Sequence, residues 1–569
     1  MTNFEDLKNE SAKVWQELIG RDSPWVRVGT ALCGKSAGAD TVVSAFQKSL
    51  ENNGIAGVVS EVGCFGLCHA EPLVDVNVPG KSRIIYGNVT PERVEEIVSQ
   101  HIRDGHPLKD LALGAIGQID NTDIGNLWEH PMLKPQHRIA LRNAGVLEPG
   151  NIYQYIANDG YAALNRALHD LTPDEVREEV SKSGLRGRGG AAFSTGTKWN
   201  FLAGSKDPVK YILVNCEEGD PGAFNDKGIL ESDPHSLIEG VIIAGLATGA
   251  SFGYVFIRNG HDGPIERTWR AINEARQAGL LGQNILGSGF SFDVEVALTG
   301  DSYVSGEETA LMESIEGKRA MPRYRPPFPA QVGLFGKPTN INNVKTLAYV
   351  PQIIFRGGDW FAEIGQERSK GTAILCLSGD LRYTGMVEVP LGMTLKQVIF
   401  DVAGGVPNGK SLKLLQTGGP LGGVLSSRNL DIPLDFEAMA EAGAILGSGG
   451  IIAADEDTCV VDLTRNLVAF CQFESCGKCF PCRTGMTHLL EMLERICSLQ
   501  GLPSDLDLMK RVGGSMQAGS LCGHGQLGFN PVSSALREFG PEFDQHILER
   551  HCGTGKCGGP WYSPSRSRR

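Results

Sequence analysis

A glycine-rich stretch at residues 183–201, SGLRGRGGAAFSTGTKWNF, constrains the possible folds of this chain more than any other segment. The stretch follows a predicted helix, because Thr172 and Glu175 form a capping box and Gly184 is a natural helix stop. Its glycines fit a degenerate G-x-G-x-x-A pattern, but a dinucleotide fingerprint should follow a strand. An ordinary Rossmann loop is therefore disfavoured.

The charge and backbone freedom of this stretch favour an anionic ligand. Glycines let the backbone approach an anion closely, and Arg186, Arg188 and Lys198 supply positive charge. Together with the aromatic residues, this order suits a bound phosphorylated flavin. The alternative is a mobile surface loop, since short motifs produce false positives.

Length, charge and apolar pattern limit the class of protein. At 569 residues the chain should hold several domains, roughly four at about 150 residues each, and its net charge of −13 argues against nucleic acid as a partner. The acidic start MTNFEDLKNESAK does not match a secretory signal, and Glu239 and four glycines within residues 237–256 disfavour a membrane span. We expect a soluble cytoplasmic protein whose fourteen cysteines serve metal or redox sites.

The sequence pattern of residues 1–105 predicts a small α/β domain. The periodicity predicts helices at 5–18 and 39–50, strands at 25–28, 58–62, 73–78 and 82–86, and a last helix starting at Pro91 after the cap Thr90. This order resembles the thioredoxin-like 2Fe-2S ferredoxin module.

The cysteines of this domain depart from that family, which usually carries C-x4-C early and C-x3-C later. Cys64 and Cys68 form the later pair, whereas Cys33 stands alone and Val28 occupies the first ligand position. Because a 2Fe-2S cluster normally uses four protein ligands, we expect no cluster here and a docking scaffold instead. A cluster would need a substitute ligand such as His69 or water.

An acidic turn follows a predicted strand at 211–214. It runs from Asn215 to Gly222, and ligands of open α/β sheets bind at such carboxyl ends of strands. Farther along, Ser305 and Glu308 fit a capping box for a helix that Glu307 begins. Acidic residues in the first turn of a helix usually stabilise it through the helix dipole. Considered alone, this helix therefore indicates a structural role for the paired glutamates.

Four motifs together resemble one protein family. The loop GLRGRGGAAFSTGTKW, the acidic turn, SGEETALMESIEGKRAMPRYRPPFPA and GLFGKPTNINNVKTL resemble the NADH-binding, FMN-carrying subunit of respiratory complex I. The same subunit type occurs in soluble NAD-linked hydrogenases, formate dehydrogenases and related multisubunit oxidoreductases. The resemblance covers the chain from about Pro135 to its last helices.

The resemblance implies binding residues by position. FMN would be lined by Gly187, Arg188, Gly189, Gly190, Lys198, Asn215, Glu217, Tyr303, Gly306, Glu307, Asn342 and Asn343. The adenine of NADH would be sandwiched by Phe193, Phe201 and Phe328, and NADH would contact Asp220, Glu308 and Arg325. The family more often carries Glu at the position of Asp220 and Lys at the position of Arg325. The charge is kept at both positions, but the reach of each side chain differs. No catalytic acid or base is implied, because hydride passes directly between nicotinamide and FMN.

The sequence and the resemblance predict a multidomain α/β fold. The expected parts are a thioredoxin-like domain at 1–105, an irregular linker at 106–134, a Rossmann-like FMN- and NADH-binding domain at 135–345, a ubiquitin-like β-grasp insert at 346–435, a helical 4Fe-4S domain at 436–550 and a tail at 551–569. No catalytic residue types cluster in the β-grasp insert, which favours a spacer or docking role.

Four cysteines in the helical domain predict an iron-sulfur cluster. Cys476, Cys479 and Cys482 repeat at C-x2-C-x2-C, and Cys522 follows in GSLCGHG. Three closely spaced thiolates can bind three corners of a 4Fe-4S cube, and a remote thiolate can bind the fourth. Structural zinc is the alternative, but zinc more often uses two separated C-x2-C pairs.

These parts predict an NADH:acceptor oxidoreductase subunit. NADH would reduce FMN, which would feed the 4Fe-4S cluster and then a partner, in either direction and with electron bifurcation as an open alternative. The expected partners are a small thioredoxin-like 2Fe-2S subunit and a larger iron-sulfur or catalytic subunit, through which the chain could attach to a membrane complex. The competing hypothesis is a non-catalytic electron-relay or assembly subunit that has lost nucleotide binding, against which the intact glycines and aromatics argue.

Cysteines near the C-terminus suggest a second metal site. Cys552 and Cys557 form C-x4-C, and His546 precedes them. Two thiolates and an imidazole are three ligands of a tetrahedral zinc site, and Cys459 could be the fourth if the tail folds back. The alternative is a pair of ordinary thiols on a frayed tail.

Overall fold

The computed structural model describes residues 3–117 and 123–558. They form a multidomain α/β structure with three main sheets and a C-terminal group of helices. The end of the predicted tail, from residue 559 through SRSRR, lies outside the described residues. No helix in the described ranges is long and apolar enough to cross a membrane.

The N-terminal unit has a five-stranded sheet in the order β2-β1-β3-β4-β5, in which the β1–β2 pair is parallel and the other pairs are antiparallel. Its elements are α1 Phe4–Ile19, β1 Trp25–Gly29, α2 Leu32–Ser36, α3 Ala39–Asn52, β2 Val58–Val62, β3 Val74–Asn77, β4 Arg83–Tyr86, α4 Pro91–Glu96, continued by a π-helix at Ile97–Arg103, and β5 Ala112–Ile116.

Two features of this unit differ from the sequence-based expectation. The predicted linker at 106–134 contributes β5, because its backbone pairs with β4 at the sheet edge. Helix α1 leaves the unit and packs Phe4 and Leu7 into the same core as Tyr155.

The central unit is a parallel four-stranded sheet, in the order β8-β7-β6-β9, flanked by helices. The predicted capping box of Thr172 and Glu175 is present at the start of its third helix. The elements are α5 Ile152–Ala157, α6 Ala162–His169, α7 Pro173–Lys182, α8 Thr195–Ala203, β6 Tyr211–Cys216, α9 Asn225–Ser232, α10 Pro234–Thr248, β7 Phe252–Arg258, α11 Asp262–Gln277, β8 Asp293–Thr299, α12 Glu308–Ile315, β9 Thr339–Asn343, α13 Val344–Arg356 and α14 Gly358–Ala362.

The third unit is a mixed sheet in the order β13-β12-β16-β14-β15. It extends past the predicted boundary at 435, because the late strand β16 inserts between β12 and β14. Its elements are β10 Gly365–Gln366, β11 Ser369–Lys370, β12 Thr372–Gly379, β13 Gly385–Pro390, a π-helix at Gln397–Val402, β14 Leu412–Thr417, β15 Val424–Ser426, α15 Phe436–Glu441 and β16 Gly450–Asp455.

A group of helices completes the chain and packs on β14, β15 and one another through a separate apolar core. They are α16 Val460–Phe473, α17 Phe480–Cys497, α18 Ser504–Gly519, α19 Gly523–Leu527 and α20 Asn530–Leu548. The carboxyl ends of β6 and β9 therefore face loops from both C-terminal units, which creates a covered crevice at the place where open parallel sheets bind ligands.

Candidate functional site

A cavity occupies this crevice. It is lined by Gly189, Ala191, Asn215, Glu217, Glu218, Gly219, Asp220, Asp226, Tyr303, Val304, Gly306, Glu307, Asn343, Leu421, Ser448, Gly523, His524 and Leu527. Eight of the residues predicted from the sequence are among them: Gly189, Asn215, Glu217, Asp220, Tyr303, Gly306, Glu307 and Asn343. The wall thus joins the glycine-rich loop, the acidic turn, the segment before α12 and the loop that carries Cys522.

The glycine-rich loop leaves space for a ligand close to its backbone. Gly190 has φ +124°, and a Cβ built there would meet no atom within 4 Å. A Cβ on Gly189 would lie 3.1 Å from the Cβ of Asn343, so a larger residue there would require Asn343 to shift. This is a cradle of the kind that a phosphate-bearing ligand requires.

Three predicted lining residues make hydrogen bonds within the protein. The buried guanidinium of Arg188 donates to the carbonyl oxygens of Lys370 at 2.5 Å, Arg186 at 2.9 Å and Thr372 at 3.2 Å, which ties the loop to the third unit. Asn342 donates to Asn340 Oδ1 at 2.5 Å. Gly187 closes the base of the loop, where its N–H donates to the carbonyl of Phe193 at 2.8 Å.

The acidic turn concentrates carboxyl groups at the cavity wall. Burial raises the pKa of Glu217 to about 8 even though Arg258 Nη1 lies 3.1 Å from its Oε1. Burial also raises the pKa of Glu218 to about 7, and its carboxylate accepts from the N–H groups of Asp226 and Lys227, both at 2.7 Å. These acids therefore hold protons near neutral pH unless a ligand supplies better partners.

Asp220 is held by neutral donors rather than by a cation. Its Oδ1 accepts from the Tyr303 hydroxyl at 2.8 Å and its Oδ2 from the Ser448 hydroxyl at 2.9 Å. Burial raises its pKa. The side chain therefore links the acidic turn to the two loops that cover it.

The paired glutamates before α12 have different roles from the expected capping box. Glu307, not Ser305, caps the helix: its Oε2 accepts from the N–H groups of Thr309 at 2.9 Å and Ala310 at 3.0 Å. The Ser305 hydroxyl donates to the Ser302 carbonyl instead. Glu308 is thus free of the cap and available for other contacts.

Glu308 lies between two cations at the mouth of the site. Arg325 Nη1 is 2.5 Å from Glu308 Oε1, and Lys198 Nζ is 3.5 Å from Glu308 Oε2. Lys198 also donates to the carbonyl of Ile341 at 2.6 Å, which anchors it on the middle of β9. Arg325 further contacts Glu307 Oε1 at 3.2 Å, so the four side chains form one charged network beside the cavity.

The three predicted aromatic residues are exposed. Phe193, Phe201 and Phe328 expose 51%, 59% and 55% of their surface, and the rings of Phe193 and Phe201 lie 6.4 Å apart. Exposure of these apolar rings to water costs free energy, and a flat ligand that stacks on them would remove this cost.

His524 is a wall residue that the sequence analysis missed. Its Nε2 lies 2.8 Å from the carbonyl of Cys471, and its Nδ1 has no hydrogen-bond partner among the described residues. The ring is 5.6 Å from that of Tyr303. Its position two residues after the predicted cluster ligand Cys522, in the segment GHG, was the available signal.

The four predicted cluster cysteines converge where α17 and α19 begin. Cys479 precedes α17, Cys482 lies in its first turn and Cys522 precedes α19. Burial raises the pKa of the Cys482 thiol to about 12, and the charges of Cys479, Cys522 and Cys476 raise it further. A bound metal reverses this cost, because it binds thiolates directly.

Two other groups of potential ligands are more compact. Within the described ranges, the ligand atoms of Cys459, His546, Cys552 and Cys557 all lie within 4.8 Å of one another, as do those of Cys33, Cys64 and Cys68. The four cluster cysteines form no such group. This wider spacing suits a cube, whose ligands bind different irons, better than a single ion.

The C-terminal group joins the tail to two helices. Cys459 Sγ lies 3.4 Å from His546 Nε2 and 3.7 Å from Cys557 Sγ. The contact with Cys557 lowers the pKa of Cys459 to about 3, and the contact with Cys459 raises that of His546 to about 9 against the effect of burial. His546 Nδ1 lies 2.7 Å from the carbonyl of Glu542, which leaves Nε2 directed at the thiols.

Comparisons with known proteins agree with this geometry. Residues 180–352 match the family described as Nuo51 FMN-binding domain, and residues 462–546 match the NADH-ubiquinone oxidoreductase-F iron-sulfur binding region. The chain is 46% identical over 424 residues to NADP-reducing hydrogenase subunit HndC of Solidesulfovibrio fructosivorans, covering 74% of this chain and 86% of the relative. It is 43% identical over 414 residues to an F-type subunit of the NADH-quinone oxidoreductase of Rhizobium meliloti (strain 1021), covering 73% and 98%.

A solved structure is similar over nearly the whole chain. The structure of an NAD+-reducing [NiFe]-hydrogenase in the H2-reduced state superposes with a TM-score of 0.65 at 25% identity, covering 95% of this chain and 87% of the matched chain.

The raised pKa of Glu217 generates a pH prediction for the protein freed of bound ligands. Between its ordinary value of 4.5 and about 8, the folded state holds a proton that the unfolded state has released. The free energy of unfolding therefore falls as pH rises through this window. We expect the midpoint of thermal unfolding to be lower at about pH 8.5 than at about pH 6, and Glu217→Gln to reduce this difference.

The exposed Glu295 on β8 is the matched control, and Glu295→Gln should leave the pH dependence as in the wild type. An unchanged pH dependence in Glu217→Gln would contradict the assignment.

Proposed function

Because this chain belongs to the family of F-type subunits of NADH-quinone oxidoreductase, we propose that it transfers electrons between NAD(H) and a partner protein through FMN and one 4Fe-4S cluster. The observation that carries this proposal is the loop after Cys522: Gly523 and His524, its next two residues, line the cavity. One cluster ligand is therefore adjacent in sequence to the wall of the flavin site.

The cavity suits FMN by its own chemistry. The backbone around Gly190 offers an open cradle for the phosphate, and the unpartnered Nδ1 of His524 offers a hydrogen-bonding atom to the ligand. FMN supplies the ability to take an electron pair and release single electrons. The side chains of Glu217, Asn215 and Asn343 line the cavity and would contact the ring system, and no protein acid or base is required.

We assign the nicotinamide nucleotide to the mouth of the same site. Phe193 and Phe201 provide exposed faces for the adenine, with Phe328 as the third aromatic wall. The Glu308–Arg325–Lys198 network provides one acceptor and two cations for the sugar and diphosphate groups.

The domain assignments support a modular electron-transfer subunit. We infer that the N-terminal unit is thioredoxin-like, the central unit Rossmann-like, the third unit a β-grasp domain and the last a helical cluster domain. The strand orders and the separate C-terminal core support this division. The proposed partners are a small thioredoxin-like 2Fe-2S subunit and a larger iron-sulfur or catalytic subunit, which could in turn attach the chain to a membrane complex.

Removing one cluster ligand tests the proposed function. The purified protein should contain about one FMN and about four cluster irons. Cys479→Ala should lose those irons and the cluster's paramagnetic resonance signal, while NADH still bleaches the flavin absorbance. Electron delivery to the physiological partner should fall by at least about tenfold.

The matched control is Cys376→Ala, which removes a buried thiol that belongs to none of the three ligand groups. Retention of the cluster signal in Cys479→Ala would overturn the ligand assignment. Absence of NADH-dependent flavin bleaching in the wild type would favour the relay or assembly subunit instead.

Glu308 should act in nucleotide binding rather than in helix capping. Glu308→Gln removes the charge that holds Arg325 and Lys198, so we expect KM for NADH to rise roughly tenfold, equivalent to about 1.4 kcal/mol, with unchanged flavin content. Steady-state kinetics with an artificial acceptor and the flavin absorbance measure the two quantities.

Glu313→Gln on the same helix is the control, because Glu313 pairs with Arg323 and does not line the cavity. Equal loss of flavin and of NADH affinity in Glu308→Gln would indicate a structural role.

We also propose that Cys459, His546, Cys552 and Cys557 bind a structural zinc ion. Four buried ligands of the preferred types lie within 4.8 Å of one another, and the Glu542 carbonyl orients the imidazole by holding its other ring nitrogen. The ion would hold the tail against α16 and α20, and its coordination free energy would add to folding.

The double variant Cys552→Ser with Cys557→Ser tests this zinc site. Relative to wild type purified without chelator, it should lose about one zinc per chain and unfold at a lower temperature, with the cluster irons retained. Elemental analysis and thermal unfolding measure this, with Cys376→Ser as the control. Unchanged zinc content would remove the hypothesis.

A further inference from the structure

Three thiols of the N-terminal unit meet although they are far apart in sequence. Cys33 lies in α2 just after β1, and Cys64 and Cys68 lie in the loop after β2. Their sulfur atoms all lie within 4.8 Å of one another, and those of Cys64 and Cys68 are 3.6 Å apart. The fold therefore gathers these thiols even though Val28 stands at the missing ligand position.

The position of Val28 does not supply a substitute ligand. It is fully buried in the apolar core of the sheet, and β1 carries it between β2 and β3. His69, the alternative ligand suggested by the sequence, is also turned away. Its Nδ1 lies 3.2 Å from the carbonyl of Thr384, and its ring packs on His130 and Tyr383.

A buried carboxylate instead stands beside the thiols. Glu71 exposes 7% of its surface, and its Oε1 lies 3.6 Å from Cys33 Sγ. Its oxygens are not within 4.8 Å of all three sulfurs, so the carboxylate would turn toward an ion on these thiols to complete a tetrahedron. Its Oε2 accepts from the N–H of Leu73 at 2.8 Å, which holds this end of the carboxylate.

Two glycines make room for this carboxylate. A Cβ on Gly34 would come within 3.2 Å of Glu71 Oε2, and a Cβ on Gly29 within 3.3 Å. Among the described residues no salt bridge joins this buried acid to a lysine or arginine, so its charged form has no positive partner in the protein. A metal ion on the adjacent thiols would be that partner.

The spacing of the thiols distinguishes between a single ion and a two-iron cluster. Zinc–sulfur bonds of about 2.3 Å in a tetrahedron place neighbouring sulfurs about 3.8 Å apart. The 3.6 Å between Cys64 and Cys68 fits two ligands on any one tetrahedral metal, including one iron of a 2Fe-2S cluster. Cys33 is the discriminating ligand, because its sulfur lies within 4.8 Å of both other sulfurs. Ligands on the two irons of a 2Fe-2S cluster would stand farther apart, because a second iron and two sulfides lie between them.

We propose that Cys33, Cys64, Cys68 and Glu71 bind a single tetrahedral zinc ion at the junction of the N-terminal, central and third units. Three thiolates with one carboxylate oxygen are ligand types that zinc accepts, and soft thiolates select it over magnesium or calcium.

The position of the thiols gives this ion a structural role. The cavity beside them is also lined by Lys227 and Glu231 of α9 and by Met386 of β13. Backbone bonds from the ligand loops reach the same elements: Leu32 N–H donates to both oxygens of Glu231 at 3.1 Å, and Met386 N–H donates to the carbonyl of Gly66 at 2.9 Å. The ion would therefore fix the loops that dock the N-terminal unit on the other two.

Metal analysis of the full chain tests the proposal. In protein produced with zinc and purified without chelator, Cys33→Ser should lose about one zinc per chain relative to wild type, with the flavin and the cluster irons unchanged. Glu71→Gln should release this zinc to a chelator at least about tenfold faster, since even outer-shell partners affect zinc affinity on that scale. Replacement by Co2+ should give the visible absorption of a tetrahedral thiolate site in wild type and a shifted spectrum in Glu71→Gln.

The matched control is Glu61→Gln, which changes an exposed acid on β2. A zinc content that is the same in Cys33→Ser and wild type would overturn the proposal, as would about two irons per chain that Cys33→Ser removes, because those identify a 2Fe-2S cluster. If Cys33→Ser does not fold, the chelator release rate and cobalt spectrum of Glu71→Gln decide, and values equal to wild type would exclude Glu71 as a ligand. The flavin content and the Cys476–Cys522 cluster signal report the proposed function separately.

Discussion

The buried ion pair between Lys345 and Asp226 holds the functional cavity together. Lys345 exposes 2% of its surface, and its Nζ lies 3.1 Å from Asp226 Oδ1. The same ammonium group donates to Asn225 Oδ1 at 2.6 Å and to the carbonyl of Ser448 at 3.1 Å. It therefore ties α13, α9 and the loop before β16 at one point. Removing one partner of a buried pair typically costs about 3–5 kcal/mol, so the cavity walls depend on this contact.

Helix α9 extends the influence of this contact to the N-terminal unit. Asp226, near its start, lines the flavin cavity, whereas Lys227, Gly228 and Glu231 line the cavity beside the three N-terminal thiols. The eight residues of this helix therefore form part of the walls of both cavities. A displacement of α9 would change both walls at once.

Local signals in the sequence were sufficient for much of the fold and for the family. The capping box of Thr172 and Glu175 and the strand Val58–Val62 are confirmed, as is the resemblance to the F-type subunits. Strand β5 was missed because the segment ALGAI has weak strand propensity and becomes a strand through pairing with β4. The sequence could not give the direction of the Arg188 side chain for a similar reason, since two of its partner carbonyls lie more than 180 positions away.

The distance between thiols in the folded chain distinguishes the kinds of metal site that they could form. The number of residues between the cysteines does not determine this distance. The C-x2-C-x2-C repeat leads into α17, so the backbone spreads its cysteines around a helix start whose dipole favours the negative charge of a cluster. The Cys33 and Cys459 groups are instead assembled from separate segments, and tertiary packing brings their ligand atoms within 4.8 Å. A spread set can enclose a cube, whereas a compact set can satisfy one ion. On the proposed assignments, the same side chain would serve electron transfer in one place and would fix the fold in two others, and the difference would lie in the scaffold.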